Sequence, residues 1–351
     1  MIERHKTKTI KIGDIAIGNN NPIAIQSMLN KPSHDIENSV IQAKQLQEAG
    51  CDIIRIAVPD MESVKLISKL KENILCPIVA DIHFDYKLAL ESVNAGIDKV
   101  RINPGNIGSD EKVKIIADTC ANANVPIRIG VNSGSLQKEI LAKYGGVTPE
   151  ALRDSAIYHV NLLLKHDFNN IVISLKSSNV GMMYEAYSLI ADKYDFPLHL
   201  GVTEAGTEYK GIIKSSIGIG SLLLKGIGDT IRVSLTANPE KEIHAAKDIL
   251  KSLNLYENSG VEIISCPTCG RTNIDLISLS AKIEEQLKDC KKNIKVAVMG
   301  CAVNGPGEAR NADIGIAGGD SSAVLFKKGE IIRKIKEEDI VHELIEEIKK
   351  L

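Results

Sequence analysis

From residue 23 to about 236 the chain repeats one pattern: a short β-branched run, a polar or glycine-containing turn, then a longer stretch in which apolar residues recur at helical spacing. The strand candidates are 23–28, 52–58, 77–83, 99–103, 126–132, 171–176, 197–203 and 230–235. The intervening helices fall at 35–49, 62–72, 86–95, 110–123, 149–166, 182–194 and 209–225, with 239–253 after the last strand. Eight alternating β/α units predict an α/β fold, a closed parallel (β/α)8 TIM barrel, with an open doubly wound sheet as the competitor. The barrel is favoured because no strand-to-helix turn carries a G-x-G-x-x-G fingerprint. Residues 133–147, with Gly134, Gly145 and Gly146, read as a loop inserted over the barrel mouth.

The pattern changes at 254–260, where Asn258-Ser259-Gly260 marks a linker. Beyond it, 261–265 and 295–299 read as strands, with 274–287 helical between them. Strands at 313–317, 323–327 and 330–335 and an amphipathic helix over 337–351 complete a small α+β module. The expected domains are therefore 1–256 and 257–351.

Near the C-terminal ends of the barrel strands, polar residues stand two apart: Asp81 and His83, Arg101 and Asn103, Ser174 and Lys176, Arg232 and Ser234, with Arg128 and Asn132 four apart on strand five. Gln26 and Arg55 occupy related positions on strands one and two. Period two puts each set on one face, and the outer face must be apolar to meet the helices, so the polar set points into the barrel. That is the end where such barrels keep their active sites. Four arginines and a lysine converge there, with Asp81 and Glu204 supplying little negative charge, so the site wants an anion such as phosphate or diphosphate. Glu204, after strand seven, is a candidate general acid or base; the plainer reading makes it a carboxylate opening the next helix. Asp81-Ile82-His83 also offers a metal-ligand pair, whereas His199 falls deeper in its strand, where packing is expected.

A formal net charge of −2 and 3% aromatic residues give no global signal for nucleic acid or membrane surface. The first residues are charged and no run approaches spanning length, so a cytoplasmic protein is expected. Seven cysteines, an odd number, then favour thiols, metal ligation or redox chemistry over a disulfide framework. Cys51, Cys76 and Cys120 read as small buried hydrophobes, and Cys290 as an exposed or packed thiol.

The informative cysteines are Cys266-Pro267-Thr268-Cys269 and Cys301 in Gly300-Cys301-Ala302-Val303-Asn304-Gly305-Pro306-Gly307-Glu308. Three thiolates on turn-prone loops can hold a metal or an iron–sulfur cluster with one coordination place over. Structural zinc would need a fourth protein ligand, whereas a cluster could take Glu308. Two alternatives stay open at this level: a phosphate-recognising lyase barrel of pterin or aldol type with a zinc module, or a non-enzymatic zinc interaction domain on a degenerate barrel.

Taken in order, Ile25-Gln26-Ser27-Met28, Asp52-Ile53-Ile54-Arg55, Ala80-Asp81-Ile82-His83-Phe84, Arg101-Ile102-Asn103-Pro104-Gly105-Asn106, Arg128-Ile129-Gly130-Val131-Asn132 and the two cysteine motifs resemble the IspG (GcpE) family across essentially the whole chain. The resemblance is to the compact bacterial form, a barrel followed by a cluster domain akin to those of sulfite reductases. It implies reductive opening of 2-C-methyl-D-erythritol 2,4-cyclodiphosphate to 4-hydroxy-3-methylbut-2-enyl diphosphate in the non-mevalonate isoprenoid pathway. It also implies a [4Fe–4S] cluster on Cys266, Cys269, Cys301 and Glu308, with Glu308 displaced during turnover. By the same resemblance Arg55, His83, Arg101, Arg128, Asn132, Lys176, Arg232 and Ser234 bind the cyclodiphosphate, and Asp81, Asn103 and Glu204 sit near its carbon skeleton. Flavodoxin or ferredoxin is the implied electron donor. A head-to-tail homodimer is implied, one subunit's cluster domain covering the other's barrel.

Overall fold

The computed structural model describes residues 2–256, 260–288, 290, 292–301 and 309–351. The chain divides into two compact units, Met1–Tyr256 and Glu257–Leu351.

In the first unit the eight expected strands form as β1 (Ala24–Met28), β2 (Ile53–Ala57), β3 (Ile78–Asp81), β4 (Lys99–Ile102), β5 (Ile127–Asn132), β6 (Ile171–Lys176), β7 (His199–Leu200) and β8 (Thr230–Ile231). All are parallel to their neighbours in the order β6-β5-β4-β3-β2-β1-β8-β7, and a parallel bridge between Ile173 and Leu198 draws the two ends together into a barrel. The helices are α1 (Ile36–Glu48), α2 (Lys65–Asn73), α3 (Tyr86–Asn94), α4 (Asp110–Asn122), α5 (Pro149–Leu164), α6 (Val180–Ala191), α7 (Glu208–Leu224) and α8 (Pro239–Ser252). Several begin at side-chain caps: Asp35, Asp85, Thr148, Asn179 and Asn238 each accept a bond from a first-turn N–H that has no helical partner.

Two separate apolar clusters show which way each strand residue faces. Ile54, Ile56, Ala80, Ile82, Val100, Ile102, Ile129 and Leu175 pack outward in the main core with the helices. Ala24, Ile53, Val79 and Val172, alternating with them along the strands, form a second cluster with Ile10, Ile12 and Ile17. These last three belong to an antiparallel hairpin, Ile10–Ile12 paired with Ile15–Ile17 around Gly13-Asp14, which plugs the N-terminal end of the barrel. Strict alternation about a Gly-Asp turn, a hairpin signal, precedes the β/α repeat and was not part of the expected architecture. Burying each isoleucine there contributes roughly 1.5–3 kcal/mol. The barrel is thus closed below by hydrocarbon, and above that floor most of its inward side chains are polar.

Strands β7 and β8 are shorter than the sequence pattern predicts. Arg232 N–H still reaches the Leu200 carbonyl of β7 at 2.9 Å, but later donors turn elsewhere, Leu235 N–H to the Glu242 carboxylate and Thr236 N–H to the Gly206 carbonyl, both at 3.0 Å. The inserted segment contains a helix, Lys138–Tyr144, ended by Gly145 in left-handed backbone (φ +68°). Just before it, Gln137 bridges Ser155 Oγ and His159 Nε2 on α5, both at 2.7 Å, which ties the insertion to the outer helical layer.

The second unit is a five-stranded sheet, β9 (Val261–Ser265), β10 (Ile294–Met299), β11 (Ile314–Gly319), β12 (Ser322–Lys327) and β13 (Glu330–Lys336), in that spatial order. The first three strands are parallel and the last two antiparallel. Helices α9 (Leu276–Leu287) and α10 (Ile340–Lys349) bury Leu279, Ile283, Leu344 and Ile348 against Val296, Val298 and Ile316 of the sheet. No helix among the described residues is long and apolar enough to cross a membrane.

Candidate active site

Above the isoleucine floor the lumen is cationic. Arg55, Arg101, Arg128 and Lys176 are all buried, as are Asp81, Asn103 and Ser174, each on the face opposite the outward core residues of its strand. Register explains the convergence: Asp81 lies opposite Arg101 and Arg101 opposite Arg128, while Asn132 lies opposite Lys176, so parallel neighbours stack these side chains around the mouth.

Not all of the cations are free, which corrects the expectation that the available carboxylates leave the whole set unmatched. Asp81 accepts from Arg55 and, at 3.0 Å, from Arg101, and its other contact is His83 Nε2 at 3.2 Å. Burial alone would raise the Asp81 pKa, but Arg55, His83 and Arg101 outweigh it and hold the carboxyl well below its usual range. Arg101 also donates to the Gly130 carbonyl at 3.2 Å. Position 130 must be glycine for that, since a Cβ there would lie 2.3 Å from Arg101 Nε. Arg232 pairs at 3.5 Å with Glu242, a buried carboxylate on α8 that also accepts from Ser27 Oγ at 2.9 Å. Ser174 spends its hydroxyl proton on the Ile129 carbonyl at 3.1 Å.

Arg128 is different. It is fully buried, and none of its three guanidinium nitrogens has a hydrogen-bond partner. Burial and then Arg55 and Arg101 act against its proton, yet a guanidinium keeps its charge in proteins, so the penalty remains in the site as an unmet demand for an anion. Lys176 shares the situation: burial first, then Arg55, Arg128, Arg232 and Arg101, hold its proton affinity well below the usual ammonium range. A dry, unpartnered planar guanidinium beside a buried amine suits a multiply charged oxyanion.

Lys99 and Glu242 escaped the candidate set, whereas Gln26 belongs to the inward face read from the sequence. Lys99 stands two before Arg101 on β4 and is completely buried with no partner for Nζ, and Gln26 on β1 is buried with both amide atoms unpartnered. Period two would have found Lys99, since it continues the Arg101 and Asn103 face by one step. Glu242 had no such signal, because a carboxylate in an amphipathic helix ordinarily faces water. His199, expected to pack, is fully buried with Nδ1 2.8 Å from Thr230 Oγ1, and burial followed by Arg128, Lys176, Lys99 and Arg55 keeps the ring neutral.

At the rim, His83 and Glu204 are exposed, and Asn132 and Ser234 half-buried. Glu204 lies in left-handed backbone at φ +51° and precedes the first residue of α7, Glu208, by a full turn, so it does not open that helix. A β-carbon in that conformation is strained, and such strain gathers at sites where a side chain has to be aimed. Among the described residues no three His, Cys, Asp or Glu side chains are grouped so as to hold a metal ion.

In the second unit Cys266 follows β9 and Cys301 follows β10. These strands are parallel neighbours with Ser265 opposite Val298, so both loops leave the same edge of the sheet. The loops touch: Gly300 N–H donates to Cys266 Sγ at 3.2 Å, and Asn273 N–H to the Gly300 carbonyl at 3.2 Å. A Cβ at position 300 would press to 2.9 Å from Thr272. Cys269 is exposed, and the Arg271 backbone N–H and then its side chain favour the thiolate. Cys266 accepting N–H···S, a thiolate-prone Cys269 and Cys301 beyond the neighbouring strand are sulfur donors whose chemistry fits an iron–sulfur group, although the described side chains are not gathered into one ligand cluster. Glu308 lies outside the described residues. Of the other thiols, burial pushes Cys51 up, Cys76 to about 11 and Cys120 to about 12, and Cys290 packs against the core of the second unit.

Residues 7–247 match the profile of the GcpE TIM-barrel domain, and residues 262–350 that of the GcpE protein C-terminal domain. A Clostridium tetani protein named 4-hydroxy-3-methylbut-2-en-1-yl diphosphate synthase (flavodoxin) is 58% identical over 350 residues, covering 100% of both chains. Proteins of the same name from Caldanaerobacter subterraneus subsp. tengcongensis and Geobacillus thermodenitrificans are 57% and 52% identical, each covering 100% of this chain and 99% and 94% of their own. Among solved structures, the Yersinia pestis dihydropteroate synthase aligns with a TM-score of 0.51 at 11% identity, over 70% of this chain and 98% of its own. That likeness establishes the barrel fold alone.

Proposed function

The chain belongs to the GcpE family, and on that premise we propose that it opens the ring of 2-C-methyl-D-erythritol 2,4-cyclodiphosphate by two-electron reduction, giving 4-hydroxy-3-methylbut-2-enyl diphosphate and water in the non-mevalonate isoprenoid pathway. It is an iron–sulfur oxidoreductase. The observation that carries the substrate class is Arg128, a fully buried guanidinium without a partner in a lumen where cations outnumber carboxylates. The cyclodiphosphate supplies the missing charge. Arg128 and Lys176 bind it most directly, and Arg55 and Arg101, oriented by Asp81, complete the cradle with Asn132, Arg232 and Ser234. Holding the ring this way pre-organises the departing diphosphate and excludes water from it. Glu204, at the rim, moves a proton or steers the substrate hydroxyl, with Asn103 and His83 beside the carbon skeleton and the phosphate.

A [4Fe–4S] cluster held by Cys266, Cys269 and Cys301, with Glu308 as fourth ligand, would supply the electrons singly. The relatives' name makes a flavodoxin the donor to test first. The enzyme works in the cytoplasm as a head-to-tail homodimer whose active site takes its barrel from one copy and its cysteines from the other.

The direct test is anaerobic turnover of the cyclodiphosphate with a chemical reductant, product formation being expected and its absence in cluster-loaded protein counting against the assignment. Protein purified without oxygen should be brown and contain acid-labile sulfide; colourless protein with stoichiometric zinc would favour a structural zinc module instead. Glu204→Gln should keep its cluster content and lose turnover, and undiminished activity would remove the role given to Glu204.

A further inference from the structure

Lys99 begins β4 inside the barrel, with its register partner Val79 in the isoleucine floor and Arg101 two residues nearer the mouth. It is wholly enclosed, and Nζ has no hydrogen-bond partner. The charged and titratable groups around it are Arg128 on β5, Arg55 on β2, His199 on β7 and Arg101 on its own strand. The carboxylates that reach this lumen are already engaged, Asp81 by Arg55, Arg101 and His83, and Glu242 by Arg232 and Ser27. An ammonium in that position has three donors, no acceptor and guanidinium neighbours, so the anion-free barrel favours the neutral amine. Burial, then Arg128 and Arg55, accordingly hold its proton affinity well below the usual ammonium range. A methionine would fill the same space with no polar penalty. The amine therefore belongs to a state of the barrel that carries more negative charge than this one.

We infer that Lys99 is a positioning residue for the diphosphate: neutral in the anion-free lumen, it takes one proton from solvent as the diphosphate enters, and its new charge supports the anion from the floor side beneath Arg128. The inference rests on the cyclodiphosphate reading above. Each phosphorus of that ring carries one ionised oxygen, which does not titrate near neutrality, so any proton gained on binding goes to the protein. Lys176 would contribute its own uptake, and for that reason the measurement is a difference between proteins.

Calorimetric titration of the oxidised, cluster-loaded full chain with 2-C-methyl-D-erythritol 2,4-cyclodiphosphate, without reductant and in two buffers of different ionisation enthalpy, gives the protons taken up per site. Lys99→Met is expected to take up about one proton fewer than the parent, and its log Kd should change with pH by about one unit less per pH unit. Lys99→Gln keeps a polar head and serves as the second variant. No uptake in the parent protein, or equal uptake in parent and folded variant, overturns the inference. Absence of any binding by the parent overturns the cyclodiphosphate reading itself, a result separable from binding without proton uptake.

Discussion

Asp81 shows how one side chain both organises and endangers the lumen. It is 3% exposed and bonded to two buried arginines, so Asp81→Asn would leave those guanidiniums without their carboxylate. Removing one partner of a buried pair costs about 3–5 kcal/mol, and a shift of the urea midpoint in ligand-free protein measures it. Because the Asp81 pKa is depressed by folding, its contribution is fully present above the unfolded value near 3.8 and is lost only as pH falls below that value toward the folded one. Acid sensitivity at milder pH comes from buried neutral histidines. His159, under the insertion, is held at about 4 by burial, so between pH 6.5 and 4 the unfolded chain binds the extra proton and stability falls as pH falls. At pH 5 this amounts to about 2 kcal/mol; His159→Gln should lessen the difference between urea midpoints at pH 7 and pH 5. Arg128 predicts the opposite kind of result. Arg128→Met should leave the ligand-free fold as stable as the parent or up to about 4 kcal/mol more so, while abolishing cyclodiphosphate binding.

Strand β5 and the hairpin carry the consequences at the level of elements. Gly130 admits the Arg101 guanidinium alongside β5, and Gly130→Ala drives a methyl into it. The expected outcome is a fall in kcat/KM of at least about tenfold, corresponding to ~1.4 kcal/mol of lost transition-state stabilisation, with the fold retained by circular dichroism. The hairpin tests the floor: Ile12 is fully buried, and Ile12→Ala should cost about 2–5 kcal/mol in a denaturant titration. At this scale much was legible beforehand. The eight strands, their order along the chain and the inward polar face follow from periods of 2 and 3.6, which are properties of neighbouring residues. The early end of β8 was not legible, because after Arg232 its donors turn away from the neighbouring strand, as when Leu235 N–H takes the carboxylate of Glu242.

For the whole molecule, the proposal of an active site shared between copies predicts complementation. Glu204→Gln and Cys301→Ser variants, each inactive alone, should regain part of the parent activity when co-assembled, and purified heterodimers that stay inactive would rule the sharing out. The sequence by itself determined the two-unit plan, the β/α count, the ring of cations and the paired cysteine motifs, since each is written in local spacing. Only the tertiary structure decided which cations are spoken for. Ser27 and Glu242 are 215 residues apart in the chain, and Arg232 loses its freedom to their meeting on one side of the barrel. Closure of the sheet over a plug of isoleucine likewise leaves Arg128 and Lys99 dry and unpartnered. Desolvation and charge pairing depend on distance through space, and periodicity along the chain carries no record of it.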